Sequence, residues 1–246
     1  MDRLLYVAMT GAKETLRAQA ANSHNLANAS TTGFRADLSA FQSRAVAGDG
    51  YASRVYATNS TTGWDSNTGS LIGTGRELDV AIQGSGFIAV QAPNGQEAYT
   101  RAGDLRLDAN GMLLNGAGHP VLGDGGPISI PPNSAVAIAA DGSVSIVPQG
   151  QGPETSAVIA RIKLVDPAES AIHRGEDGLF RANEGTQVLT DANVKLASGV
   201  LESSNVNVAD AMVNMIELQR HYELQVKAMR TAEENAASAT QLLRNG

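Results

Sequence analysis

The side chains best suited to metal binding or general base work are four histidines, His24, His119, His173 and His221. They lie far apart, with no carboxylate or second histidine at ligand spacing. Gly84-Ser85-Gly86 resembles the start of a phosphate-binding loop. It lacks a third glycine at the dinucleotide spacing, and a β-type run rather than a helix follows it, so it reads as a hairpin turn. No nucleophile elbow of the form G-x-S-x-G and no P-loop is present. Asp79, Asp104, Asp108 and Asp141 are candidates for the carboxylate pair of a glycoside hydrolase. Asp-Ala-Asn-Gly at 108–111 and Asp-Gly at 141–142 are also what tight turns require, and turn duty accounts for them better. Cysteine is absent, which removes thiol and disulfide chemistry. The sequence therefore predicts no catalytic residue, no cofactor-binding residue and no metal ligand.

The elements around these residues carry the stronger signal. From 208 to 243 the chain reads as one long helix in which Met212, Met215, Gln219, Tyr222, Val226, Met229, Glu233, Ala236, Thr240 and Leu243 recur at alternating steps of three and four. Leu5, Met9, Ala12, Leu16, Gln19, Ser23 and Leu26 repeat the pattern at the other end. Both seams are narrow and each holds a glutamine. An isolated helix is marginal in water, so both segments need partners. Two arrangements fit: a helical hairpin that closes one domain, and a device that packs between subunits.

Between the helices the texture changes twice. Residues 34–75 lose all period and read as an extended, partly disordered linker that contains the single tryptophan, Trp64. From 76 to 204, short apolar runs alternate with Gly- and Asp-rich turns and no helical pattern intervenes. The prediction is an α+β chain, mostly β: an antiparallel β-rich central domain, sandwich or irregular barrel, and a helical terminal domain made of 1–33 and 205–246. The formal net charge of −7 excludes generic nucleic-acid binding. No run of eighteen apolar residues and no basic-then-apolar leader is visible, which predicts neither membrane insertion nor a cleaved signal. On these grounds two classes stand: a self-assembling structural subunit, or a β-rich carbohydrate-binding or hydrolytic protein with a helical terminal hairpin.

The segment Ala21-Asn22-Ser23-His24-Asn25-Leu26-Ala27-Asn28-Ala29-Ser30-Thr31-Thr32-Gly33-Phe34 resembles the N-terminal signature of bacterial flagellar rod and hook proteins. Gly199-Val200-Leu201-Glu202-Ser203-Ser204-Asn205-Val206-Asn207 and Met215-Ile216-Glu217-Leu218-Gln219-Arg220-His221-Tyr222-Glu223 are similar to the C-terminal signature of that family. The departure is Ser23-His24, where the family commonly has a second asparagine. Length and the two chain ends look more like proximal than distal rod members. The resemblance implies a non-enzymatic subunit of the basal-body rod that self-assembles, transmits motor torque and forms part of the export channel. It implies export through the flagellar type III apparatus to the periplasm, with other copies and neighbouring rod proteins as partners. The terminal helices are then expected to pair as a coiled coil on assembly, with Gln19 and Gln219 setting register as buried amides and the asparagine-rich turn bonding to neighbours.

Overall fold

The computed structural model of the chain describes residues 2–45, 55–150 and 155–244. They divide into two compact units, one of Met1–Ala29, Ala36–Asp65 and Val206–Gly246, the other of Ser30–Arg35 and Ser66–Asn205.

The first unit is built on two helices, α1 (Asp2–Ala27) and α2 (Val208–Arg244). Asn207 starts α2 by accepting hydrogen bonds from the backbone N–H groups of Ala209 and Asp210 at 3.0 and 3.4 Å, a side-chain N-cap. The helices run antiparallel, since Asn22 near the end of α1 bonds to Ala211 near the start of α2, and Gly11 meets Gln225 farther along. The unit also contains strands β1 (Asp37–Ala45) and β2 (Val55–Trp64), paired antiparallel with a bulge between Leu38 and Ser39. This strand pair lies within the stretch 34–75 read as an extended, partly disordered linker. Its Ser/Thr-rich composition, as in Asn59-Ser60-Thr61-Thr62, gave little hydrophobic alternation, yet β-branched threonines suit a ladder whose pairing is mainly backbone to backbone.

The second unit is almost all antiparallel sheet, so the whole is an α+β chain, mostly β. A five-stranded sheet runs in the order Leu164–Val165, Phe87–Gln91, Glu97–Thr100, Phe180–Ala182, Ile172–Arg174. Asn133–Ile138, Ser143–Pro148 and Ala157–Arg161 form a three-stranded sheet, and the remaining strands pair in twos. Among the described residues none of these sheets closes into a barrel. The hairpins expected at 105–114 and 136–147 are present, with Asp108 and Asp141 bonding to backbone N–H groups inside their turns. The Met112 N–H holds the Asp108 carboxyl below the usual range, and the Ser143 hydroxyl, followed by its N–H, does the same for Asp141. Gly84-Ser85-Gly86 does not close a hairpin. Val80–Gln83 pairs with Lys195–Ser198 instead, and the carbonyls of Gly84 and Gly86 accept from the Arg101 guanidinium at 2.7 and 3.1 Å.

The core of this unit is aliphatic: Ile88, Val90, Leu105, Leu113, Val121 and Val144 are fully buried. Replacing Leu113 with Ala should lower the unfolding free energy by about 2–5 kcal/mol, read from the midpoint of urea denaturation. A pH term sits beside the core. Burial pushes the Asp104 carboxyl above its usual range, and the nearby Asp79, which is also buried, adds to the effect. The neutral form is therefore favoured in the fold. Stability from this group is present in acid and is lost as pH rises through the folded pKa. Asp104→Asn should raise stability relative to the parent chain increasingly from acid to neutral pH, as measured by urea midpoints across that interval.

Candidate assembly surface

The stripe that α1 and α2 bury against each other is made largely of small residues. Ala8, Ala12, Thr15 and Ala18 are buried on α1; on α2, Ala211 and Ala232 are buried, with Met215, Leu218, Tyr222, Gln225 and Met229 partly so. Small side chains let two helices approach closely. At Gly11 the approach is complete, because an added Cβ would stand 3.0 Å from the Gln225 side chain.

Of the expected seam, Leu5, Ala12, Leu26, Met215, Tyr222, Val226 and Met229 are at least partly buried, and Leu243 has its side chain outside the described residues. Met9, Leu16 and Met212 are about half exposed. At most alternate seam positions the preceding residue is the more buried one: 8, 15 and 22 rather than 9, 16 and 23, and 211, 218 and 232 rather than 212, 219 and 233, while Gln225 and Val226 are both partly buried. A three-four repeat admits two adjacent phases. Counting large apolar residues selects one, whereas close approach selects the other. Gln219 is exposed and donates to Glu223 at 3.4 Å, while Gln19 is partly buried, so in the single chain Gln225 is the amide that α2 presents to α1.

Large apolar side chains are consequently left outside. Tyr6, Met9, Leu16, Met212, Val213, Ile216 and Leu224 are between 47 and 61% exposed. The asparagines of the N-terminal motif, in contrast, are bonded within the chain. Asn22 Nδ2 donates to the Ala211 carbonyl at 2.7 Å, and Asn25 both donates to the Asp37 carbonyl and accepts from its N–H at 2.9 and 2.8 Å. Asn28 Nδ2 donates to the His24 carbonyl, and His24 Nδ1 lies 2.8 Å from Asp37 Oδ2. Ala27 ends α1 and is exposed.

The remaining motif residues belong to the β unit, where they gather around one carboxylate. Glu202 is 1% exposed, with Arg35 Nη2 2.9 Å from one oxygen and Arg101 Nε 2.8 Å from the other. The Gly69 N–H donates to the same carboxylate at 2.9 Å, and the Gly33 N–H donates to the Glu202 carbonyl at 2.8 Å. Gly33 has φ +66, and a Cβ there would collide with the Arg101 backbone, so glycine is required twice over. Phe34 is buried beneath the Arg174 guanidinium, 4.2 Å from its ring centroid, and Arg174 donates to the Arg35 carbonyl at 2.7 Å. Asn205 donates to the carbonyls of Phe34 and Asn67. Leu201 pairs with Ile72, Gly199 turns the chain with φ +74, Ser204 is buried and Thr32 is partly so. Arg220, the last motif residue, is exposed on α2. Arg35, Arg101, Gly69 and Arg174 were not singled out in the sequence, since no local spacing links residues 35, 69, 101, 174 and 202.

Of the candidate catalytic groups, Asp79 and Asp104 lie on paired backbone segments, while Asp108 and Asp141 serve their own turns and the histidines stand apart. His173 bonds to Asn183, the His119 N–H donates to Asn115, and His221 is exposed. Among the described residues no three of His, Asp and Glu stand together as metal ligands, and no helix is long and apolar enough to cross a membrane.

Comparison with known proteins agrees with this arrangement. Residues 5–35 match the family described as Flagella basal body rod protein, 81–146 the Flagellar hook protein FlgE/F/G D1 domain, and 197–242 the Flagellar basal body rod FlgEFG protein C-terminal. The chain is 44% identical over 249 residues to the flagellar basal-body rod protein FlgF of Salmonella typhimurium (strain LT2), and 43% identical over 249 residues to that of Escherichia coli (strain K12); each match covers 99% of both chains. It is 32% identical over 255 residues to FlgG of Bacillus subtilis (strain 168), covering 95% of this chain and 96% of that one. The chain belongs to the flagellar basal-body rod proteins, structural subunits of the rod, and nothing in these relatives supports a hydrolase. Within that family it is most like FlgF.

Removing the shared carboxylate should be costly, because two guanidinium groups then remain buried beside an uncharged amide. Glu202→Gln is expected to destabilise the chain by about 3–5 kcal/mol, measured by urea denaturation, whereas Glu234→Gln on the exposed side of α2 should leave the midpoint within error.

Proposed function

We propose that this chain is a subunit of the proximal rod, part of the shaft that transmits motor torque and surrounds the export channel. Its partners are other copies of itself and neighbouring rod proteins. It reaches the periplasm through the flagellar type III apparatus without a cleaved signal, and it has no catalytic role. One observation carries this reading: the helix pair leaves a row of large apolar side chains on both helices, such as Met9, Leu16, Met212 and Ile216, about half exposed to solvent. Covering the exposed half of a side chain such as Leu16 or Ile216 is worth on the order of 1 kcal/mol, so a row of them supplies a strong drive to associate while the single chain keeps its fold. The helical segments 1–33 and 205–246 serve as the assembly domain, and residues 76–204 form the separate β domain.

The test replaces Leu16 and Met212 with Asp in the full chain. Circular dichroism and the urea midpoint should match the parent, because neither side chain lies in the buried stripe. The variant should be missing from isolated basal bodies, and a strain that carries it as its sole copy should not swim. A swimming strain with the variant built into its rods would contradict the assignment of this surface.

A further inference from the structure

The exposed apolar residues form two stripes of different character. On α2, Val208, Met212, Ile216, Arg220 and Leu224 follow one another at steps of four and all are exposed, which makes them one ridge. On α1, Tyr6, Met9 and Leu16 share the outer side with exposed Lys13. Their charges are opposite. The α1 stripe carries Lys13 and Arg17, while Glu14 is turned inward, 5% exposed, and paired with Arg17 at 3.0 Å. The α2 ridge is flanked by Asp210, Glu217 and Glu223 against the single cation Arg220. A contact between like stripes would bring equal charges together and leave the other stripe bare, whereas a contact between unlike stripes covers both.

The stripes also lie at different heights. With Asn22 level with Ala211 and Gly11 level with Gln225, the α1 stripe stands beside the part of α2 that follows Leu218, while the ridge of α2 occupies its beginning. Their midpoints are offset by roughly ten residues, about 15 Å at the helical rise. We infer that the α2 ridge of one copy of this chain docks on the α1 stripe of a second copy displaced along the helix axis. The inference rests on the rod-subunit reading and adds the identity and register of the contact. Such a contact is heterologous, so it repeats into an open row instead of closing as a dimer. The offset sets Met9 against Ile216, Leu16 against Met212, Lys13 between Asp210 and Glu217, and the Tyr6 ring on the Arg220 guanidinium.

The absence of native cysteine makes disulfide trapping clean. The full chain carrying Met9→Cys with Ile216→Cys, or Leu16→Cys with Met212→Cys, is expressed as the sole copy, and isolated basal bodies are oxidised and run without reductant. Each double variant should give dimers and higher multimers, and each of the four single variants should stay monomeric. Disulfide dimers of a single variant would mean like-with-like packing. A double variant that is present in the rods but remains monomeric would mean that another protein covers these stripes. Either result overturns the inference while leaving the rod assignment intact, whereas absence of the unaltered chain from basal bodies would defeat the rod assignment itself. A charge exchange gives a second reading of the contact: Lys13→Glu should lower incorporation severalfold and adding Glu217→Lys should restore it, and failure to restore counts against the register.

Discussion

Glu202, shared between Arg35 and Arg101, is the interaction on which the β unit depends. Removing three charged groups from water is expensive, and an ion cluster of this kind is sustained by close opposite charges in good geometry together with further hydrogen bonds. Here the carboxylate receives two guanidinium groups and the Gly69 N–H, and Arg101 spends its other nitrogens on the carbonyls of Gly84 and Gly86. The cluster therefore joins segments near residues 33–35, 67–69, 84–86, 101 and 202, which are far apart in sequence. The chain enters or leaves this unit after residues 29, 35, 65 and 205. Within the unit, Arg35, Asn67 and Asn205 all bond within or beside the cluster. The glycines that surround it follow from the same crowding: Gly33 meets the Arg101 backbone and Gly69 the Ser203 carbonyl, and neither has room for a Cβ.

The helical unit is built on the opposite economy of side chains. Its inner stripe is rich in small residues on α1, which permit close contact, and takes Met215, Leu218, Tyr222 and Met229 only partly buried from α2, while its outer stripes hold further Met, Leu, Ile and Tyr residues that would contribute most if covered. A monomeric enzyme would place those residues inside. The reverse placement suits a chain whose burial is completed by other molecules, and the family to which the chain belongs works as an assembly. Opposite charge on the two outer stripes adds direction, which a rod requires and a closed dimer does not.

Much of this was legible in the sequence and some was not. The long C-terminal helix, its Asn207 cap and the hairpins turning at Asp108 and Asp141 are local, so spacing and turn chemistry were enough to place them. Which residues the two helices turn toward each other was not legible, because a count of apolar residues favours Met9 and Leu16, whereas close approach buries Ala8 and Thr15 in the single chain. The ladder of Asp37–Ala45 with Val55–Trp64 was not legible because serine and threonine ladders lack hydrophobic alternation. Glu202 and Gly33 stood out as motif residues, but their reason did not. It lies in Arg35 and Arg101, and pairings between residues so far apart in sequence leave no periodic trace. The same holds for Val80–Gln83 with Lys195–Ser198, a ladder between distant segments that left Gly84-Ser85-Gly86 looking like a hairpin turn.

Methionine oxidation offers the most direct test of the central claim, since the sulfur reports exposure at chosen points on both helices. Met9 and Met212 are about half exposed in the single chain, while Met215 and Met229 face the inner stripe. With dilute peroxide, the isolated chain should oxidise Met9 and Met212 well ahead of Met215 and Met229, and in purified basal bodies Met9 and Met212 should become the protected pair. Equal oxidation of Met9 and Met212 in the isolated chain and in the rod would contradict the account.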